Sequence, residues 1–102
     1  MKKRTHTCGE LNASHEGKRV VLQGWVGGRR DLGGLVFLGL RDRYGVTQAV
    51  IDPGKVAPEV AAAAGSVRYE YVLEVEGTVR RRPEGQANAK MATGEIEVAV
   101  DA

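Results

Sequence analysis

Apolar residues recur at every second position in five separate stretches of this 102-residue chain, and this alternation limits the folds open to it. A period of two turns one face of an extended strand towards a core and the other face away from it. Residues 18–26 form the first stretch, and Gly24 within it permits the bend that a barrel corner needs. The inward set of this strand is predicted to be Val20, Leu22 and Val26.

Two further strands are predicted in the first half of the chain, at residues 35–41 and from 46 to about 52. The segment 27–34, between the first two strands, is rich in glycine and predicts a loop. Residues 42–45 have the composition of a hairpin turn, because Gly45 can adopt a positive φ. The second strand is predicted to point Val36, Leu38 and Leu40 inwards.

Residues 56–64 are rich in alanine and predict one short helix, with Pro58 in its first turn and Gly65 as its C-cap. The rest of the chain is predicted to form a strand over about 71–81, a long loop over 82–93 and a strand over 94–101. The inward residues of these two strands are predicted to be Leu73, Val75, Val79, Ile96, Val98 and Val100.

Three strands, a helix and two strands, in that order, are typical of one fold class. The chain is therefore predicted to be all-β, a five-stranded OB-fold Greek-key barrel with a short helix between strands 3 and 4. An SH3-like barrel is the alternative, but the position of the helix and the long first strand with its central glycine favour the OB-fold. A chain of 102 residues predicts a single domain, 1–102.

Charge is distributed unevenly along the chain, although the net charge is only +2. A small net charge can hide one basic face, and arginine clusters on one side are the mark of nucleic-acid binding. The arginines fall in three short stretches, which contain Arg29 and Arg30, then Arg41 and Arg43, then Arg80, Arg81 and Arg82.

Several classes of site are excluded by what the sequence lacks. Cys8 is the single cysteine and is predicted to be buried, so the chain has neither an internal disulfide nor a CxxC metal site. His6 and His15 are isolated, and no triad, phosphate-binding loop or paired carboxylates are present, so we predict no catalytic residue, no metal and no cofactor. No signal peptide or membrane-spanning stretch is found, and we expect a cytoplasmic protein.

Phe37 is the only phenylalanine, and the alternation places it on the outer face of the second strand. OB-folds bind oligonucleotides across strands two and three, where exposed aromatic side chains serve as stacking platforms. The alternative is that Phe37 packs beneath a loop as part of a second small core. Both interpretations remain open from the pattern alone.

Polar and charged residues near this face are the other candidates. Arg80 and Arg82 face away from the core set of strand four and suit phosphate, although a solvated charged edge would look the same. Arg29 and Arg30 lie at the mouth of the first hairpin, where Asp31 is expected to pair with an arginine. Gln48 and Glu97 could read base edges or be surface polar residues bound by water.

These segments together resemble the N-terminal domain of bacterial aspartyl-tRNA synthetases. The match covers essentially the whole chain. The motifs that carry it are Gly24-Trp25-Val26, Arg29-Arg30-Asp31-Leu32-Gly33-Gly34-Leu35, Phe37-Leu38, Leu40-Arg41-Asp42-Arg43, Gly77-Thr78-Val79-Arg80 and Met91-Ala92-Thr93-Gly94-Glu95-Ile96-Glu97-Val98.

The resemblance implies a module that grips the anticodon stem-loop of aspartate tRNA. In that family the residue matching Phe37 stacks on an anticodon base, and residues matching Gln48 and Glu97 help to read base edges. Arginines matching Arg30, Arg80 and Arg82 contact the stem-loop. The predicted nucleic-acid-binding set is therefore Arg29, Arg30, Phe37, Gln48, Arg80, Arg82, Gln86, Asn88 and Glu97, in which Gln86 and Asn88 match two amide positions of the family approximately.

The resemblance implies no catalysis by this chain, because none of the motifs of the family's much larger catalytic domain is present. A monomer is expected, since the family's dimer contacts involve mainly that catalytic region. The alternative function is a non-enzymatic protein-interaction module or an engineered scaffold. It is motivated by Gly27-Gly28, which stands where the family usually has Asn-Arg.

Overall fold

The computed structural model describes residues 4–32, 34–66, 71–82, 94 and 96–101. Within these residues, five strands form a closed barrel in the order β1-β2-β3-β5-β4. The elements are β1 (Arg19–Leu32), β2 (Leu35–Asp42), β3 (Gly45–Ile51), α1 (Pro58–Ser66), β4 (Val72–Arg81) and β5 (Ile96–Val100), preceded by a 3₁₀ turn at Ala13–His15. The predicted five-stranded barrel with a helix between β3 and β4 is confirmed.

Strand β1 is the element that closes the barrel. Its first half pairs with β4 from Arg19 to Trp25, and its second half pairs with β2 from Trp25 to Leu32. A Cβ on Gly24 would collide with the carbonyl oxygen of Arg41, so only glycine allows this close approach at the bend.

The predicted loop over 27–34 is wrong for residues 27–32, because β1 continues to Leu32. Asp31 pairs with Val36 and Leu32 with Leu35, and Gly34, which lies in a turn just before β2, has a φ of +84°. Glycine disfavours a strand when considered alone, but β2 pairs with residues 28–32. A register shift between Val26 and Gly28 absorbs one residue as a bulge.

The interior of the barrel consists of the alternating apolar sets, as predicted. Every residue predicted to point inwards from β1, β2 and β5 is at most 7% exposed, and in β4 Val75 and Val79 are buried while Leu73 is partly buried against the core. β3 adds Ala49 and Ile51. Near the N-terminus Cys8 is fully buried, as predicted, and burial together with the nearby Asp42 charge raises the pKa of its thiol to about 12.

Helix α1 begins at Pro58 and ends at Ser66, two residues later at each end than predicted. The prediction of Gly65 as a C-cap is wrong, because Gly65 lies within the helix and its φ is outside the left-handed region. No helix in the described part of the chain is long and apolar enough to cross a membrane.

The β2–β3 turn is held by the carboxylate of Asp42. Its Oδ1 accepts hydrogen bonds from the backbone N–H groups of Tyr44 at 2.8 Å and Gly45 at 3.2 Å, and its Oδ2 accepts one from Cys8 at 2.9 Å. Burial opposes ionisation of this carboxyl, but the three backbone donors outweigh it and lower its pKa. Asp42 thus fastens the N-terminal segment to the turn.

Replacing Gly65 with alanine is expected to stabilise the fold by about 0.5–1 kcal/mol, because Gly65 is helical and a Cβ there meets nothing within 4 Å. Gly34→Ala is the matched control. It also meets nothing within 4 Å, but its φ of +84° makes the same substitution cost about 1–2 kcal/mol. Urea unfolding of both variants measures the change in the free energy of unfolding, which should be positive for Gly65→Ala and negative for Gly34→Ala. Destabilisation by Gly65→Ala would contradict the helical assignment.

Asp42 is expected to make stability depend on pH in the acid range. Its folded pKa lies below the unfolded value of about 3.9, so its contribution is present above that value and is lost as pH falls through the folded pKa. Denaturation at a series of pH values should show wild type more stable than Asp42→Asn near neutrality, with the difference shrinking on acidification. A difference that stays constant in acid would exclude this role for the carboxylate.

Candidate nucleic-acid interface

An open groove of about 380 Å³ runs over the outer face of β1, β2 and β3. On β2 the outward positions are Phe37, Gly39 and Arg41, as the alternation predicts. Gly39 has no side chain, and its register partner on β1 is Gly28, where an added Cβ would meet nothing within 4 Å. The middle of the groove is therefore not filled by side chains from these two positions. The lining residues are Gly27, Gly28, Arg29, Arg30, Phe37, Leu38, Gly39, Arg41, Val46 and Gln48.

Phe37 forms one wall of this groove and is half-buried. The guanidinium carbon of Arg30, its register partner on β1, lies 5.5 Å from the centre of the ring, a cation–π distance. Among the described residues it is therefore an exposed arginine, and not a loop, that covers the ring. The sole phenylalanine and one of the arginines from the first cluster thus meet at one place.

Glu97 is the centre of a polar network beside the groove. It is only 2% exposed, its Oε1 accepts a hydrogen bond from Gln48 Nε2 at 2.9 Å, and its Oε2 accepts one from Arg80 Nε at 2.8 Å. The interpretation of Glu97 as a surface residue bound by water is wrong. β5 lies between β3 and β4, so side chains of both neighbours cover its outer face and supply these donors.

The remaining predicted arginines have different surroundings. Arg80 keeps about half of its side chain exposed while it binds Glu97. Arg82 donates from Nε to the backbone oxygen of Ile96 at 3.0 Å, and burial lowers its pKa although the nearby Glu97 charge opposes this change. The charge of Arg30 also lowers the pKa of Arg82, so the two guanidinium groups are close enough for their charges to interact.

Arg29 lines the groove, and its guanidinium also contacts other groups of the domain. One nitrogen of its guanidinium donates to the carbonyl oxygen of Ala64 at 3.0 Å, and another lies 3.1 Å from the carboxylate of Asp31. The predicted pairing of Asp31 with an arginine is confirmed. These contacts join the β1–β2 hairpin to the end of α1. Gln86 and Asn88, also predicted to bind nucleic acid, lie outside the described residues.

Arg41 lines the groove although it is absent from the predicted binding set. The sequence does contain a pattern that predicts this position. Arg41 lies two residues after Gly39 and four after Phe37, and this spacing keeps it on the same face of β2. Within the residues described, no group of three or more His, Cys, Asp or Glu side chains could hold a metal ion. The groove therefore offers an aromatic ring, an amide and several guanidinium groups.

Comparison with known proteins agrees with this geometry. Residues 20–102 match the family of OB-fold nucleic acid binding domains. The chain is 55% identical to the Aspartate--tRNA(Asp/Asn) ligase of Syntrophotalea carbinolica over 96% of its own length and 16% of that protein. The resemblance to the aspartyl-tRNA synthetase N-terminal domain is thereby confirmed, with the chain spanning about a sixth of its curated relative.

Two solved structures share the architecture. Asparaginyl-tRNA synthetase from Pyrococcus horikoshii, complexed with asparaginyl-adenylate, matches with a TM-score of 0.82 and 31% identity, over 100% of this chain and 22% of that one. OBody AM2EP06 bound to hen egg-white lysozyme matches with a TM-score of 0.83 and 22% identity, over 100% of this chain and 92% of that one. The second likeness concerns the fold alone.

Arg80→Ala is expected to destabilise the domain by about 1–2 kcal/mol, because it leaves one oxygen of the buried Glu97 carboxylate without its charged donor. Arg81→Ala is the matched control on the next residue. Arg81 pairs with Glu16 at 3.1 Å, but both side chains are more than half exposed, so its loss should change stability by less than about 1 kcal/mol. Urea unfolding distinguishes the two variants, and equal losses of stability would contradict a stabilising role for the hydrogen bond between Arg80 and Glu97.

Proposed function

The chain belongs to the family of OB-fold nucleic acid binding domains, and on that basis we propose that it binds the anticodon loop of aspartate tRNA. The observation that carries the proposal is the Phe37 ring, which lies under Arg30 in an open groove that arginines and an amide also line. The tRNA is proposed from the 55% identity to a ligase named for tRNA(Asp/Asn). Since that name covers both tRNAs, the test includes both anticodons.

Stacking on Phe37 is the first proposed contact. An unpaired base has a flat apolar face, and its stacking on an aromatic side chain contributes about 1–3 kcal/mol. The exposed Arg30 guanidinium would be displaced from the ring by the incoming base and would turn to the adjacent phosphate. Phe37 is half-buried and lines the open groove, so a base that enters the groove can reach its ring.

Gln48 is proposed to read the edge of a base. One of its amide N–H groups donates to Glu97, which leaves its carbonyl oxygen and second N–H for a ligand in the groove. An amide fixed in this way presents one acceptor beside one donor, and this pattern matches a base edge that carries both. Glu97, which was predicted to read a base itself, is proposed mainly to orient Gln48 and Arg80.

The arginines are proposed to bind the RNA backbone. Arg30 and Arg41 line the groove, and Arg82 lies close enough to Arg30 for their charges to interact. Arg80 is exposed and is linked to the groove through Glu97, which also binds Gln48. Guanidinium groups bind phosphate oxygens in a bidentate way. Arg29, Gln86 and Asn88 complete the proposed set, with Arg29 also supporting the shape of the hairpin through Ala64 and Asp31.

Binding without catalysis is the proposed role. The chain spans 16% of the ligase it matches, and its sequence contains no nucleophile triad or phosphate-binding loop. We expect the domain to be a monomer and to meet its tRNA in the cytoplasm.

Fluorescence anisotropy with labelled RNA hairpins tests the proposal. Hairpins with the aspartate or asparagine anticodon should bind more tightly than one with the same stem and a scrambled loop, because the groove reads unpaired bases. Affinity should fall as salt rises, since each arginine contact releases counterions. Binding that is absent, or equal for all loops, would contradict recognition of an anticodon.

Phe37→Ala is expected to weaken hairpin binding by about 1–3 kcal/mol, the value of one stacked base. Phe37→Tyr is the matched control, because it keeps the ring and should keep most of the affinity. Thermal unfolding of both variants separates the two roles of the residue: collapse of Phe37→Ala without selective loss of RNA binding would favour a packing role for Phe37.

A further inference from the structure

A second groove, of about 400 Å³, lies on the same outer face of the barrel, beyond the end of the first. It is outside the set of residues proposed above to bind RNA. The lining residues are Arg4, Gln23, Gly24, Trp25, Asp42, Arg43, Tyr44 and Val72. This site is called the turn groove here, because the β2–β3 turn forms one of its sides.

The turn groove contains two aromatic side chains from a chain that has only five aromatic residues. Tyr44 is 55% exposed, so its ring is accessible from solvent. Trp25 is partly exposed and stands between Arg41 on β2 and Val72 on β4, its register partners. Flat aromatic surfaces that remain accessible are what a base needs in order to stack.

Positive charge surrounds these rings. Arg4 and Arg43 line the turn groove, and Arg41 lies beside Trp25. Among the described residues, Arg41 and Arg43 form no ion pair. The one carboxylate in the lining, that of Asp42, is turned towards three backbone N–H groups and lies 4.0 Å from Arg4.

Tyr44 is held in position before any ligand arrives. The guanidinium carbon of Arg4 lies 5.6 Å from the centre of its ring, and Asp42 Oδ1 accepts a hydrogen bond from its backbone N–H. The next residue, Gly45, packs so closely on Gly9 that a Cβ would lie 2.8 Å from the Gly9 Cα atom. A ring on such a fixed turn loses little conformational freedom when a ligand stacks on it.

Arg41 connects the two grooves. It lines the first groove and is directly opposite Trp25, which lines the second. Phe37 and Arg41 are four residues apart on one face of β2, so a strand of RNA that follows this face from Phe37 leads to Trp25 and Tyr44.

We propose that the turn groove is a second stacking site, which takes a nucleotide that flanks the bases bound at Phe37. Tyr44 and Trp25 would contact the base, and Arg43 would bind its phosphate. The inference rests on the proposed function, because it assigns the continuation of the same RNA. The exposed Val72 would also suit a protein partner, but the arginines around the rings favour nucleic acid.

Trp25 provides a direct readout, because it is the only tryptophan. Binding of the anticodon hairpin should quench its fluorescence through contact with a base.

Tyr44→Ala should weaken hairpin binding by about fivefold or more, the lower end of the range for one stacked base. Tyr44→Phe should keep the affinity, since it keeps the ring, and Tyr71→Ala, which removes an exposed tyrosine outside both grooves, should also leave it unchanged.

Arg43→Gln should lower the slope of log K against log salt concentration by about 0.7, the value for one phosphate contact on a single strand. Arg81→Gln, an exposed arginine outside both grooves, is its control. If Tyr44→Ala proves unstable, Tyr44→Leu keeps the apolar bulk without the ring and should still bind less tightly.

The outcomes separate the two proposals. If wild type binds no RNA, the proposed function fails and this inference fails with it. If wild type binds and Phe37→Ala weakens binding, while Tyr44→Ala, Arg43→Gln and the Trp25 emission show no effect, the first groove stands alone and the second site is overturned. That result would leave the turn groove as a surface for protein.

Discussion

The pairing of one strand with two partners is the constraint on which this barrel depends. β1 must pair with β4 along its first half and with β2 along its second, and the change of partner falls at Trp25. At the adjacent bend the backbone of β2 comes so close that Gly24 cannot carry a side chain. Without this close approach β1 could not pair with both neighbours, and the barrel would open into a sheet with β1 itself as one of its two unpaired edges.

Closure of the barrel also determines which polar groups are buried. β5 runs parallel to β3 and antiparallel to β4, so an outward side chain on β5 is covered from both sides. Glu97 is buried in this way outside the apolar core, and it remains tolerable because an amide and a guanidinium satisfy its two oxygens. One of these donors, Gln48, also lines the groove, so a residue that supports the buried carboxylate also belongs to the outer face proposed to bind RNA.

Alternation along the sequence was sufficient to predict the five strands, the inward residues of four of them and the outer position of Phe37, because each of these follows from a period of two. Two predictions failed for different reasons. The glycine-rich residues 27–32 continue β1 because β2 pairs with residues 28–32, whereas Gly65 continues helix α1 rather than capping it. The burial of Glu97 depends on neighbours that are distant along the chain, which local pattern cannot reveal.

The state of Cys8 has a practical consequence for chemistry on this domain. It is the only cysteine, it is fully buried, and its pKa of about 12 keeps it as a neutral thiol at ordinary pH. Thiol reagents attack the thiolate, so maleimides and disulfide-forming probes should leave the native protein unmodified. A cysteine introduced at an exposed position would then be the single reactive thiol, and a dye or cross-linker could be attached there without first removing the natural one.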